Sequence, residues 1–117
     1  MALAAAGDIV LLRFPQTDSQ PGKLRPVLLV TATPAKYDDW LICMLSTRLN
    51  QAIDGLDDII ETDDTDFAST GLKAASLVRV TRLAIVSETI LIGSIGSISK
   101  PRLDRIRKAI SDWIQKG

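Results

Sequence analysis

Two residue types present and one absent decide what chemistry this 117-residue chain can perform: arginine, the hydroxyl residues, and histidine, of which there is none. Arg25 stands at the mouth of the apolar run Val27-Leu28-Leu29-Val30, and Ser46-Thr47 closes the run from Trp40 to Leu45. A guanidinium is planar, stays cationic at any working pH and can give two hydrogen bonds to one phosphate, so it stabilises negative charge well and is a poor general base. Without histidine, imidazole acid–base catalysis and any zinc site resting on His are excluded, and the single Cys43 cannot build a thiolate cluster. The paired acids Asp57-Asp58 and Asp63-Asp64 chelate poorly on a strand, where neighbours point to opposite faces. No metal and no cofactor is expected. The plainer reading of the same residues is that Arg25 makes a surface ion pair and Ser46-Thr47 merely ends a strand.

The elements that must hold these residues are mostly strands. Residues 8–14 (DIVLLRF) read as the first, and 15–23 (PQTDSQPGK) as a loop of turn formers. The chain re-enters a strand at Arg25, with Pro26 at its start or on an edge because proline has no N–H to give. Residues 40–45 make a third strand, and 56–62 a fourth whose exposed positions carry acids. A loop containing Gly71 follows. In the longer strand 77–86, period two puts Val78, Val80, Ala84 and Val86 on one face and Arg79 and Thr81 on the other. Residues 90–99 (ILIGSIGSIS) read as a short bent strand. The last segment is a helix: Ser99 is its N-cap, Pro101 lies in the first turn, and Leu103, Ile106, Ile110, Trp113 and Ile114 recur at helical spacing. Asp104–Lys108 and Asp112–Lys116 are spaced as i,i+4 pairs.

These elements make a mainly β fold with a C-terminal helix, a small and strongly bent barrel in one domain spanning residues 1–117. The apolar fraction of 46% supports one modest core, built from Ile, Leu, Val and Ala because aromatics are few. Cys43 cannot form an internal disulfide, which fits a reducing compartment, and it reads best as a small buried hydrophobe. No run approaches the ~20 apolar residues of a spanning helix. The apolar start, residues 1–6, lacks the basic flank and the length of a signal peptide. The chain is therefore read as cytoplasmic, with no membrane partner. Net charge is zero, but residues 54–66 hold seven acids and no base, leaving 14 bases against seven acids elsewhere. A cationic face can thus stand beside an acidic loop; ordinary solvated surface is the bland alternative.

Four short pieces, in order, carry a family likeness: Gly7-Asp8-Ile9-Val10, Arg25-Pro26-Val27 with its aliphatic run, Leu45-Ser46-Thr47, and Gly71-Leu72 followed by Ser76-Leu77-Val78. With these pieces the chain resembles the MazF/PemK toxins, small metal-independent endoribonucleases of type II toxin-antitoxin systems that cleave single-stranded RNA, usually mRNA. The resemblance implies an SH3-like β-barrel of the MazF/PemK/CcdB type, a homodimer, and a cognate antitoxin protein that covers the cationic groove. It carries an arginine role onto Arg25 and a hydroxyl role onto Ser46, where the family usually has threonine, with Thr47 as backup. Cleavage would use the 2′-hydroxyl beside the scissile phosphate as nucleophile, leaving the protein to align it, neutralise the phosphoryl charge and assist proton transfer.

The loop 16–23 matches one that borders the family's RNA groove. Lys23 flanks its exit, and Asp18 is its only carboxylate and a speculative proton acceptor. Two departures stand out. The family's late Arg-Thr/Ser falls on Ala84-Ile85, which leaves Arg79 and Arg82 as the candidate substitute RNA contacts. The aromatics that stack bases are limited to Phe14, Tyr37, Trp40, Phe67 and Trp113, with Trp113 assigned to the helix stripe. Competing readings are a catalytically silent barrel that binds RNA or a protein through the same groove, and a purely structural dimerisation module.

Overall fold

The computed structural model describes residues 4–14, 22–34 and 38–117. Residues 1–3, most of the loop expected over 15–23 with its Asp18, and Tyr37 lie outside these. Six strands form one antiparallel sheet: β1 (Asp8–Phe14), β2 (Lys23–Ala32), β3 (Asp39–Ser46), β4 (Asp58–Ile60), β5 (Ser76–Ser87) and β6 (Gly93–Ser97), in the order β4-β5-β3-β2-β1-β6. A short helix α1 (Phe67–Thr70) and a long one α2 (Lys100–Lys116) complete the chain.

The apolar runs of β2 and β3 are continuous because both faces of the sheet are buried. On one face Ile9, Leu28, Val30, Cys43, Leu45, Val78 and Val80 pack under Leu103, Ile106 and Ile110 of α2. On the other, Val10, Leu12, Val27, Leu29 and Ile42 gather with Trp40 and Leu91. Pro26 lies where β2 pairs with β1 but is already past its last pair with β3, Val27↔Met44, so that strand has an edge there as expected.

Curling brings the two ends of the sheet together. Helix α1, between β4 and β5 in the chain, rests on β6 at the opposite end of the strand order. Glycines make the crossing: a Cβ on Gly71 would strike the Ile95 carbonyl, and one on Gly96 the Ser69 and Thr70 carbonyls. Ser69 Oγ donates to Ser97 O at 3.0 Å across the same seam. Gly71, at φ 72°, also ends α1 in the left-handed conformation that glycine adopts without steric cost.

Helix α2 begins as the sequence predicts, with Ser99 Oγ accepting from Arg102 N. Its surface pairs differ from expectation: Lys100–Asp104 and Lys108–Asp112 form, each basic residue one turn before its acid. Trp113 and Ile114 are 37% and 63% exposed, because the last turn of α2 runs past the three residues that cover the sheet.

Expectation also fails on β5. Val78 and Val80 pack under α2, whereas Ala84 and Val86 pack on the opposite face. Arg79 pairs with Met44 and Leu83 with the preceding β3 residue, Cys43, so residues 80–82 are an insertion with no partner on β3. This bulge reverses the phase of the strand.

The acidic stretch is not a solvated face throughout. Arg102, 5% exposed, places all its donors: Nε and Nη2 grip Asp66 at 2.9 Å each, Nη1 binds Asp58 at 2.6 Å and the Ile59 carbonyl at 3.1 Å, and Nη2 also binds Asp64 at 2.7 Å. Arg105 adds a second cation on Asp58. These bonds hold the Asp66 carboxyl far below the usual range and push the Arg102 guanidinium further up.

Candidate active site

The face of the sheet opposite α2 carries the residues of interest at one end. Val27 stands opposite Met44, and Met44 opposite Arg79, across β2, β3 and β5. Two residues further along, beyond the last β2–β3 pair, Arg25 follows Val27 on β2 and Ser46 follows Met44 on β3, and Ser46 is opposite Leu77 on β5. Directly opposed residues in an antiparallel pair share a face, and so do residues two apart on one strand. Arg25, Ser46 and Arg79 therefore lie on one face, with Ser46 on the strand between the two arginines. Arg79 is diagonal to Ser46, a separation of roughly 7–8 Å between strand positions that a long side chain spans. Lys23, paired with Phe14, extends the row on β2.

Arg82 joins the same side through the bulge. Leu83 is opposite Cys43 and packs under α2, so alternation turns Arg82 the other way, as it does Arg79. In an unbroken strand two residues three apart would face opposite sides. Arg82 is exposed and Arg79 half-buried.

Local bonding explains why β3 stops where it does. Ser46 Oγ accepts from Arg48 N at 3.0 Å, and the Thr47 carbonyl accepts from Leu49 N at 3.0 Å, which bends the chain into a 3₁₀ turn at Leu49–Gln51. The backbone thereby fixes the Ser46 hydroxyl and leaves its proton to donate. Thr47 is exposed in the bend, one residue off the shared face.

Among the described residues, no carboxylate pairs with Lys23, Arg25, Arg79 or Arg82, and every ion pair is made with α2. The two charge signs are thus segregated: acids from the 58–66 stretch neutralise Arg102 and Arg105, while the β2 end stays cationic. Asp57 and Asp58 also diverge, Asp58 toward Arg102 and Asp57 toward the backbone N–H groups of Ile53 and Val80. Two hollows lie elsewhere: about 600 Å³ between α2 and the β2–β3 pair, lined by Val30, Leu41, Ile110 and Ile114, and about 660 Å³ beside Glu61, Asp63 and Asp64. The first is largely apolar and the second anionic, so neither suits a polyanion. The Arg25 face is the one whose charge fits such a ligand.

The sequence reading missed the bulge and the backbone anchor on Ser46. A signal for the bulge existed: the polar pair Thr81-Arg82 between Val80 and Leu83 breaks period two. No comparable signal marks the Arg48 N–H.

Comparison with known proteins gives a consistent answer. The sequence matches a family profile described as the PemK-like, MazF-like toxin of type II toxin-antitoxin systems over residues 5–114. No match is found among curated proteins. Among solved structures, the Mycobacterium tuberculosis toxin MazF-mt6 aligns with a TM-score of 0.65 at 19% identity, covering 92% of this chain and 96% of that one. A mycobacterial structure described as an endoribonuclease in complex with its cognate antitoxin aligns with a TM-score of 0.66 at 13% identity, covering 97% and 96%. At such identities these likenesses speak for the fold, whereas the profile spans nearly the whole sequence. The chain belongs to the PemK-like, MazF-like toxins of type II toxin-antitoxin systems.

Proposed function

We propose that this toxin is an endoribonuclease that cuts single-stranded RNA without a metal, using the RNA's own 2′-hydroxyl. The observation that carries the reading is the shared face of Arg25, Ser46 and Arg79, a hydroxyl between two arginines that have no described carboxylate partner. As the 2′-oxygen bonds to phosphorus it loses its proton; as the P–O5′ bond breaks, the departing oxygen gains one. The products are a 2′,3′-cyclic phosphate and a 5′-hydroxyl. Negative charge concentrates on the non-bridging oxygens between these events. On this reading Arg25 gives them two hydrogen bonds, and Ser46 a third. Thr47 offers a second hydroxyl at the same strand end. Lys23, Arg79 and Arg82 track the flanking phosphates.

On this reading the chain works as one domain over residues 1–117, acts in the cytoplasm, pairs as a homodimer, and is silenced by a cognate antitoxin that covers the cationic face. One of its structural neighbours is described in complex with such a partner. No helix of the described residues is long and apolar enough to cross a membrane, and burial pushes the Cys43 thiol up to about 12, so it takes no part in the chemistry.

Arg25→Ala is the test. It is expected to lower kcat/KM on a long unstructured RNA by about 10²–10³-fold, the cost of removing one transition-state donor, and to relieve growth inhibition while thermal unfolding stays unchanged. A wild-type protein that neither cuts RNA nor slows growth would instead favour a silent binding barrel.

A further inference from the structure

The bulge of β5 has a dedicated holder. Val80 is fully buried, and β3 offers no partner to residues 80–82. Its N–H is accepted by Asp57 Oδ1 at 3.1 Å, from a residue 23 positions earlier in the chain. The carboxylate is fixed from its other side, since Oδ2 accepts from Ile53 N at 3.0 Å while Asp57 N donates to Ile53 O at 3.0 Å. A buried N–H must find an acceptor. Without Asp57 the Val80 N–H loses its acceptor on the β4 side, and the bulged backbone must shift to find another, which releases the phase that the bulge sets. Regular pairing would place Arg79 and Arg82, three residues apart, on opposite faces of the sheet.

We propose that Asp57 is a positioning residue for the cleavage site: its carboxylate holds the β5 bulge that turns both Arg79 and Arg82 to the face of Arg25 and Ser46. The inference rests on the RNA-cleaving reading of that face. Asp57 itself touches no substrate and acts through the two arginines.

The experiment is a double-mutant cycle on cleavage of a long single-stranded RNA, with D57A, R79A and the double variant, each shown by circular dichroism to be folded at the assay temperature. D57A is expected to lower kcat at least tenfold and to unprotect the Val80 amide in hydrogen exchange. The double variant should lose no more than about threefold beyond the weaker single variant. D57N keeps an acceptor for the Val80 N–H but sets its NH2 against the Ile53 N–H, so it should recover part of the rate and fall between D57A and wild type. If D57A does not fold, D57S takes its place, its hydroxyl being too short to reach Val80. The proposal is overturned if the variant cuts like wild type, if its loss multiplies with that of R79A, or if D57N is as impaired as D57A. A wild-type protein inert toward RNA would remove the cleavage reading and this inference together; an active one with an indifferent Asp57 would remove this inference alone.

Discussion

Ser46 shows how much a single bond decides at the scale of residues. Its Oγ accepts from Arg48 N, so on the proposed reading the hydroxyl would meet the RNA with a fixed direction and one proton to give. Ser46→Ala is therefore expected to lower cleavage roughly tenfold, about 1.4 kcal/mol of transition-state stabilisation. Ser46→Thr should retain activity, since it keeps the hydroxyl and suits a strand end. Single-turnover rates on one RNA check both; an alanine variant as fast as wild type would remove Ser46 from the site. The places of Arg25 and Ser46 at strand ends were legible in the sequence because each sits at the boundary of an apolar run. Asp57 and Arg102 were not: both looked like members of ordinary charged stretches, and their partners lie 23 to 44 residues away in the chain.

At the scale of elements, α2 is fastened by charge as well as by its apolar stripe. Arg102 ties it to the β4 end and to the turn before α1 through Asp58, Asp64 and Asp66. Arg102→Ala leaves these carboxylates without their cation, and breaking a buried pair from one side costs about 3–5 kcal/mol. Chemical denaturation at neutral pH should show that loss. The effect depends on pH in a defined direction. Asp66 is acidified in the folded protein by Arg102, so its contribution is complete above the ordinary carboxylate pKa of about 3.9 and is lost as pH falls below it toward the folded value. The gap between wild type and variant should shrink in step; a gap that is constant from pH 7 to pH 2 would contradict the account. Strand positions were readable from alternation, and α2 from its cap and stripe. The phase of β5 was not, because an inserted bulge keeps a strand's composition while exchanging its faces.

Across the whole molecule, zero net charge conceals a division. Asp58, Asp64 and Asp66 gather against α2, and Lys23, Arg25, Arg79 and Arg82 stand on the other face of the sheet with no ion pair among the described residues. Composition could announce the acidic stretch but not where its charge would be spent, which only the curl of the sheet determines. Four cations meeting a single strand imply that log K for RNA falls with log salt at a slope of about −3. Filter-binding titrations with the inactive Arg25→Ala protein should give a slope nearer −2; a salt-independent affinity would rule out a phosphate-tracking face.

The most direct measurement is the chemistry of the cut ends. Purified toxin is incubated with a long single-stranded RNA in EDTA, and both new termini are identified. Cleavage is expected to leave a 2′,3′-cyclic phosphate and a 5′-hydroxyl, and to be slowed by about 10²–10³-fold in Arg25→Ala. Ends bearing a 3′-hydroxyl and a 5′-phosphate, or cutting that stops when divalent ions are chelated, would contradict it.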